Sequence, residues 1–120
     1  MFTFFTQLQM ALRDDPAFVA GWPGVLGVYV DGDPWYVAMT TNIGPAVCAH
    51  GEWPGDADLV VRVATHTAWT AIVADPSTIP AIADAGLIVT DDPDSQSFTL
   101  ARLGAMIELR NAWVLAHPPV

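Results

Sequence analysis

The sequence predicts an α+β domain, a five-stranded, mostly antiparallel sheet covered by helices on one face. Three observations predict it. Apolar residues recur at helical spacing near both ends of the chain, whereas 57–63 alternates strictly. Most of the strand-like segments come in one block, ahead of most of the helical ones. Ten prolines and nine glycines cut the 120 residues into short elements, with no repeat and no low-complexity linker, so the whole of 1–120 reads as one domain.

In residues 2–14, Phe5, Leu8 and Leu12 fall on one helical face, and Phe4, Met10 and Ala11 widen the stripe. Asp14, Asp15 and Pro16 stop that helix, and Trp22-Pro23-Gly24 makes a turn. GVLGVYVDGDPWYVAMTT reads as two strands around Asp31-Gly32-Asp33-Pro34, a hairpin signal. Pro45–His50 is a candidate third strand, closed by Gly51-Glu52-Trp53-Pro54-Gly55. In ADLVVRV, Leu59, Val61 and Val63 share one face and Val60 and Arg62 the other, as in a half-buried strand. Thr65 or Thr67 caps a helix running to about Ala74, and Pro76 ends it. Ser77 or Thr78 starts a short helix that tolerates Pro80 in its first turn and ends at Gly86. LIVT is the fifth strand, DDPDSQ a turn, and Ser97 is expected to cap a last helix striped by Leu100, Leu103, Met106 and Ile107. Tyr36, Ala38, Thr40, Val60 and Arg62 are assigned to the open face of the sheet.

With 52% hydrophobic and only 14% charged residues, disorder is excluded, and no window of about 18 apolar residues suggests a membrane span. The apolar excess must fill a core, a cavity or an interface. Four arginines, no lysine and thirteen acids give a net charge of −9, and Arg13, Arg62, Arg102 and Arg110 are scattered, so nucleic acid and anionic membranes are poor partners. The single Cys48 cannot form an internal disulfide, and MFTFFTQLQMALRDD lacks the basic start and cleavage site of a signal peptide, so a cytoplasmic protein is expected.

Patterns that carry chemistry are sparse. Cys48, His50 and Glu52 lie two apart and would share a strand face; His50-Gly51-Glu52 matches H-x-E, but the P-C-x-x-C of a zinc deaminase is missing, so no metal is expected. Ser77, Ser95 and Ser97 sit in turns or at helix starts, none in a G-x-S-x-G elbow. No phosphate loop is present, and the Gly21–Gly24–Gly27 run precedes a strand. Asp31 and Asp33, and Asp91, Asp92 and Asp94, read as solvated turn acids without the EF-hand pattern. For proton transfer the candidates are Tyr29, His50 and His66.

By alternation Leu26, Val28 and Val30 share one face, as do Trp35, Val37 and Met39; the helices would present Phe5, Leu8, Trp69, Ile72, Ile82, Leu103, Met106 and Ile107 opposite them. These residues either fill a solid core or line a ligand cavity.

The hairpin VYVDGDPWYVAMTT, the block DADLVVRVATHTAWTAIVADPSTIPAIADAGLIVTDD and the Leu- and Met-rich terminal helix together resemble the sterol carrier protein type 2 family of small lipid-binding domains, over about Leu8 to Leu109. The resemblance implies that the sheet and its helices enclose an apolar tunnel for a lipid or acyl chain, with no cofactor and no covalent chemistry. Where the family's short helix usually ends in Gly and a basic residue, Leu87-Ile88 follow Gly86 here. With so few cations, a neutral hydrophobic ligand is expected rather than a CoA ester or a docked membrane. The function expected is therefore non-catalytic binding or carrying of a hydrophobic small molecule. Two alternatives stand beside it: a small isomerase or cyclase acting in the same pocket, and an interaction module that homodimerises through Trp113 and the VLAHPPV tail.

Overall fold

The structure is a computed structural model that describes residues 1–39 and 45–118. Helix α1 (Phe2–Arg13) buries Phe4, Phe5, Leu8, Ala11 and Leu12, the expected stripe except for Met10, which is exposed. A short helix that the sequence analysis leaves unassigned follows, α2 (Pro16–Gly21): Asp15 accepts a hydrogen bond from the Phe18 amide at 3.0 Å, and Pro16 occupies the first helical position. An aspartate–proline pair thus stops one helix and starts the next. Gly24 is required where the chain leaves this helix, since a Cβ there would lie 2.5 Å from the Trp22 indole.

Strands β1 (Val25–Val30) and β2 (Asp33–Ala38) form the hairpin. Its turn is only Asp31-Gly32, both with positive φ (51° and 78°), while Asp33 already pairs with Val30. That two-residue geometry matches the right-handed twist of the strands, and it favours glycine. Strand β3 (Val47–His50) pairs antiparallel with β2, and the connection between them lies outside the described residues, as does the expected outer-face Thr40. Strand β4 (Leu59–Val63) runs parallel to β1, started by a 2.8 Å hydrogen bond from the Val25 amide to Asp58.

Helix α3 (His66–Ala74) is capped by Thr65, whose hydroxyl accepts from the Ala68 amide at 3.0 Å. A 3₁₀ turn (Pro76–Thr78) leads into α4 (Ile79–Asp84), and Gly86 (φ 80°) turns the chain into β5 (Ile88–Thr90), antiparallel to β4. A second 3₁₀ turn (Pro93–Ser95) precedes α5 (Gln96–Ala116). The expected cap Ser97 lies inside α5. Asp92 organises the entry instead, accepting from the Asp94 amide and the Ser95 hydroxyl.

The five-stranded sheet has the order β3-β2-β1-β4-β5, with three antiparallel pairs and one parallel pair at its centre. Leu26, Val28, Val30, Trp35, Val37, Met39, Val61 and Val63 are buried beneath the helices. On the other face Arg62 is exposed and Tyr36 and Val60 are half-buried, whereas Ala38 is fully buried. Trp113 is engaged within its own chain: its indole N–H donates to Asp14 at 2.8 Å and its ring stacks on His117.

Candidate ligand-binding site

Aromatic rings organise the helical side. Phe5 stacks on Trp35 (centroids 4.5 Å apart, planes 7° apart) and faces Trp69 at 5.9 Å; Phe4 meets Trp69 edge-on at 5.0 Å. Around them Leu8, Leu26, Val28, Val37, Met39, Ile72, Leu103, Met106 and Ile107 are buried, and Ile82 is half-buried against the same core. The residues assigned to a ligand from the sequence thus meet in one cluster, the interior of the domain.

At the edge of that cluster a groove of about 650 Å³ opens between α1, α3 and α5. Its apolar lining comes from Met1, Phe4, Trp69, Val73, Ala74, Val114 and Leu115. Of the ligand candidates only Trp69 reaches it; the sequence reading missed Val73, Val114 and Leu115 as lining, although three apolar residues beyond the Leu103–Ile107 stripe were a visible sign of a second apolar strip on α5. Its polar lining is His66, Thr70, Arg110 and Asn111. Arg110 lies 4.9 Å from the Phe4 ring centroid and donates to Gln7 Oε1 from Nε (3.1 Å) and Nη2 (2.7 Å) and to Asn111 Oδ1 from Nη1 (2.9 Å). Asn111 in turn donates to the Val73 carbonyl at 2.8 Å, tying α5 to the end of α3. Burial pulls the pKa of the Arg110 guanidinium below its ordinary value.

A second groove, about 450 Å³, lies on the open side of the sheet and is polar. Tyr29 donates to Glu52 at 2.8 Å, Arg62 makes a two-pronged pair with Asp91 at 2.8 and 3.0 Å, and the guanidinium lies 4.3 Å from the Tyr29 ring centroid. The Glu52 bond, then burial, raises the Tyr29 pKa, and Arg62 lowers that of Asp91. Tyr29 therefore gives up its proton less readily than an ordinary phenol.

The H-x-E residues separate. His50 Nε2 sits 2.6 Å from Asp33 Oδ1, and Trp35 donates to the other oxygen of the same carboxylate at 3.1 Å, so Asp33 titrates lower than usual. Past Gly51 (φ 118°) the chain turns, and Glu52 bonds Tyr29 instead. His66 lies 4.0 Å from Asp31. Burial pushes the Cys48 thiol up to about 12, the reverse of an activated nucleophile. Among the described residues no group of three His, Cys, Asp or Glu side chains is placed to hold a metal.

No family model and no curated protein matches the sequence. Solved structures do match the fold. One is a "UbiJ-SCP2 Ubiquinone synthesis protein" (TM-score 0.63, 20% identity, 88% of this chain and 90% of that one). Another is apo sterol carrier protein 2 from Yarrowia lipolytica (TM-score 0.64, 13% identity, 88% of each chain). The fold is that of sterol carrier protein 2. A conserved hypothetical protein of Thermus thermophilus shares it too, at TM-score 0.61 and 13% identity over 94% of this chain and 87% of that one. The sterol carrier protein 2-like arrangement puts the apolar groove on the helical side of the sheet and the polar groove on the bare side. No helix among the described residues is long and apolar enough to cross a membrane.

Proposed function

We propose that this domain binds a hydrophobic small molecule without covalent chemistry and that the groove between α1, α3 and α5 is where the ligand enters. The observation that carries the reading is that groove, walled by Phe4, Trp69 and aliphatic side chains on the helical side of a sterol carrier protein 2-like fold. Pockets of a few hundred Å³ with apolar walls and few polar groups are the usual setting for small-molecule binding. On this reading Trp69 is the hinge between groove and interior. A longer ligand would go deeper by parting α1 and α5, taking contacts from Phe5, Leu8, Leu103, Met106 and Ile107 and then from the sheet residues Leu26, Val28, Trp35, Val37 and Met39, with Ile72 and Ile82 beside them. The lone, half-buried Cys48 suits a cytoplasmic site of action, where thiols stay reduced.

The test is organic extraction of natively purified protein, mass spectrometry of the extract, and titration of the emptied protein with a panel of apolar probes while tryptophan emission is followed. A near-stoichiometric apolar molecule, or saturable quenching that Trp69→Phe abolishes, is the expected result. An empty extract combined with no saturable response to any probe would overturn the reading.

A further inference from the structure

The longest helix carries a second stripe that its own chain does not cover. α5 buries Thr99, Leu103, Met106 and Ile107. On its opposite side Phe98, Ala101, Ala105, Glu108, Ala112 and Leu115 follow one another at alternating steps of three and four residues, the spacing of a helix–helix seam. Phe98 is 49% and Leu115 83% exposed; Ala105 is half-buried and the other three are exposed. At 1.5 Å per residue the stripe runs for about 25 Å. A chain with thirteen acids places only Glu108 on it. Beside it, α4 and α5 leave a groove of about 760 Å³, lined by Ile79, Leu100 and Gly104 and, where α5 begins, by Pro93, Gln96 and Ser97.

We propose that this stripe is an interface and that its occupant is α5 of a second copy of the chain, antiparallel and related by a two-fold axis at Ala105. The stripe is complementary to itself in that register. In a two-fold contact, a residue some places before the axis lies level with the partner's residue the same number of places after it. Phe98 therefore comes level with the partner's Ala112, a large side chain against a small one. Leu115 comes level with the partner's Ser95, where the groove between α4 and α5 opens, so the most exposed large apolar side chain meets unfilled space. Arg102 comes level with the partner's Glu108. Neither has an ion-pair partner of its own among the described residues, and Arg102, held to the Phe18 carbonyl at 3.1 Å, has a buried Nε that bonds nothing. A parallel pair would instead set Glu108 against Glu108 and Arg102 against Arg102, so the charges select the antiparallel register. That attraction also counters the repulsion between two copies of net charge −9. Ala105 at the axis lets the two backbones approach closely.

The experiment is sedimentation velocity of the purified full chain from about 1 to 500 µM, a range suited to an interface of modest size, with disulfide trapping in a Cys48→Ser background. The native chain is expected to dimerise reversibly within that range. Ala105→Glu is expected to weaken the dimer by about a hundredfold or more, since it sets two carboxylates against each other at the axis. Glu108→Arg is expected to weaken it by about tenfold, and adding Arg102→Glu to that variant to bring it back to within about threefold of native. Ala105→Cys is expected to give a disulfide-linked dimer under mild oxidation, and Ala112→Cys not to, since the two copies of position 112 lie about 20 Å apart along the seam. A native chain that stays monomeric over the whole range would overturn the proposal and leave the stripe to a different partner. A dimer that Ala105→Glu leaves intact, or equal trapping at positions 105 and 112, would overturn it as well. If the Ala105→Glu or Arg102→Glu chain does not fold, the two cysteine variants decide.

Discussion

The two faces of one sheet are built by different physics. On the covered face, Leu26, Val28 and Val30 are fully buried, and Phe5, Trp35 and Trp69 stack above them. On the bare face the same strand presents Gly27 and Tyr29, and the contacts are a tyrosine–carboxylate bond, one ion pair and a cation over a ring. Burial of large apolar side chains stabilises by several kcal/mol per residue, whereas half-exposed pairs such as Arg62–Asp91 contribute about 1 kcal/mol or less. The covered face therefore holds the domain together, and the bare face adds little to its stability. The comparison also separates two kinds of groove, one acid-rich with its cation already paired, one apolar with its cation lacking an acid.

The sharpest way to break the comparison is to truncate one aromatic on each side. Phe5→Ala should cost about 3–5 kcal/mol in denaturant unfolding, while Tyr29→Phe should cost about 1 kcal/mol or less; comparable losses would mean that the bare face is structural too. Cys48 probes the covered side without disturbing packing. With its pKa near 12, its native-state reaction with a disulfide reagent at pH 8 should be slower than that of an unperturbed thiol by about tenfold or more, and denaturant should restore the rate. Thr65→Ala removes the α3 cap and should lower stability by about 1 kcal/mol, with Thr65→Ser close to native. The smallest effect belongs to the bare face. Arg62 depresses the Asp91 pKa, so the pair's contribution is present above the ordinary carboxylate range and is lost as pH falls through the lowered native value. Arg62→Gln should flatten that acid limb slightly, by about 1 kcal/mol or less, in melts recorded between pH 6 and 3.

Much of this was legible from local chemistry. Alternation identified the inward set on β1, β2 and β4; Asp31-Gly32 announced the hairpin; Thr65 and Gly86 marked helix boundaries. What was missed came from competing or distant partners. Asp15-Pro16 carries a stop signal and a start signal at once, and the spacing of Phe18 and Val19 is too short to reveal α2. Ser97 offered a cap, but Asp92, five residues earlier, had already organised the turn. The parallel pairing of β4 with β1 joins residues 33 apart in sequence, and alternation cannot give direction. Arg110 counted as one of four scattered cations because nothing local relates it to Gln7 or Phe4, more than a hundred residues away.

That last separation bears on how the chain is made. The apolar stripe of α1 leaves the ribosome well before α5, which is part of its cover, and Gln7 and Asp14 find their partners only at Arg110 and Trp113. At about 5–20 residues per second, the stripe waits several seconds for its lid. The hairpin can close meanwhile, but the interior stays unsealed until α5 is synthesised. This domain completes its folding only once α5 has emerged, and α1 is the part most in need of protection until then.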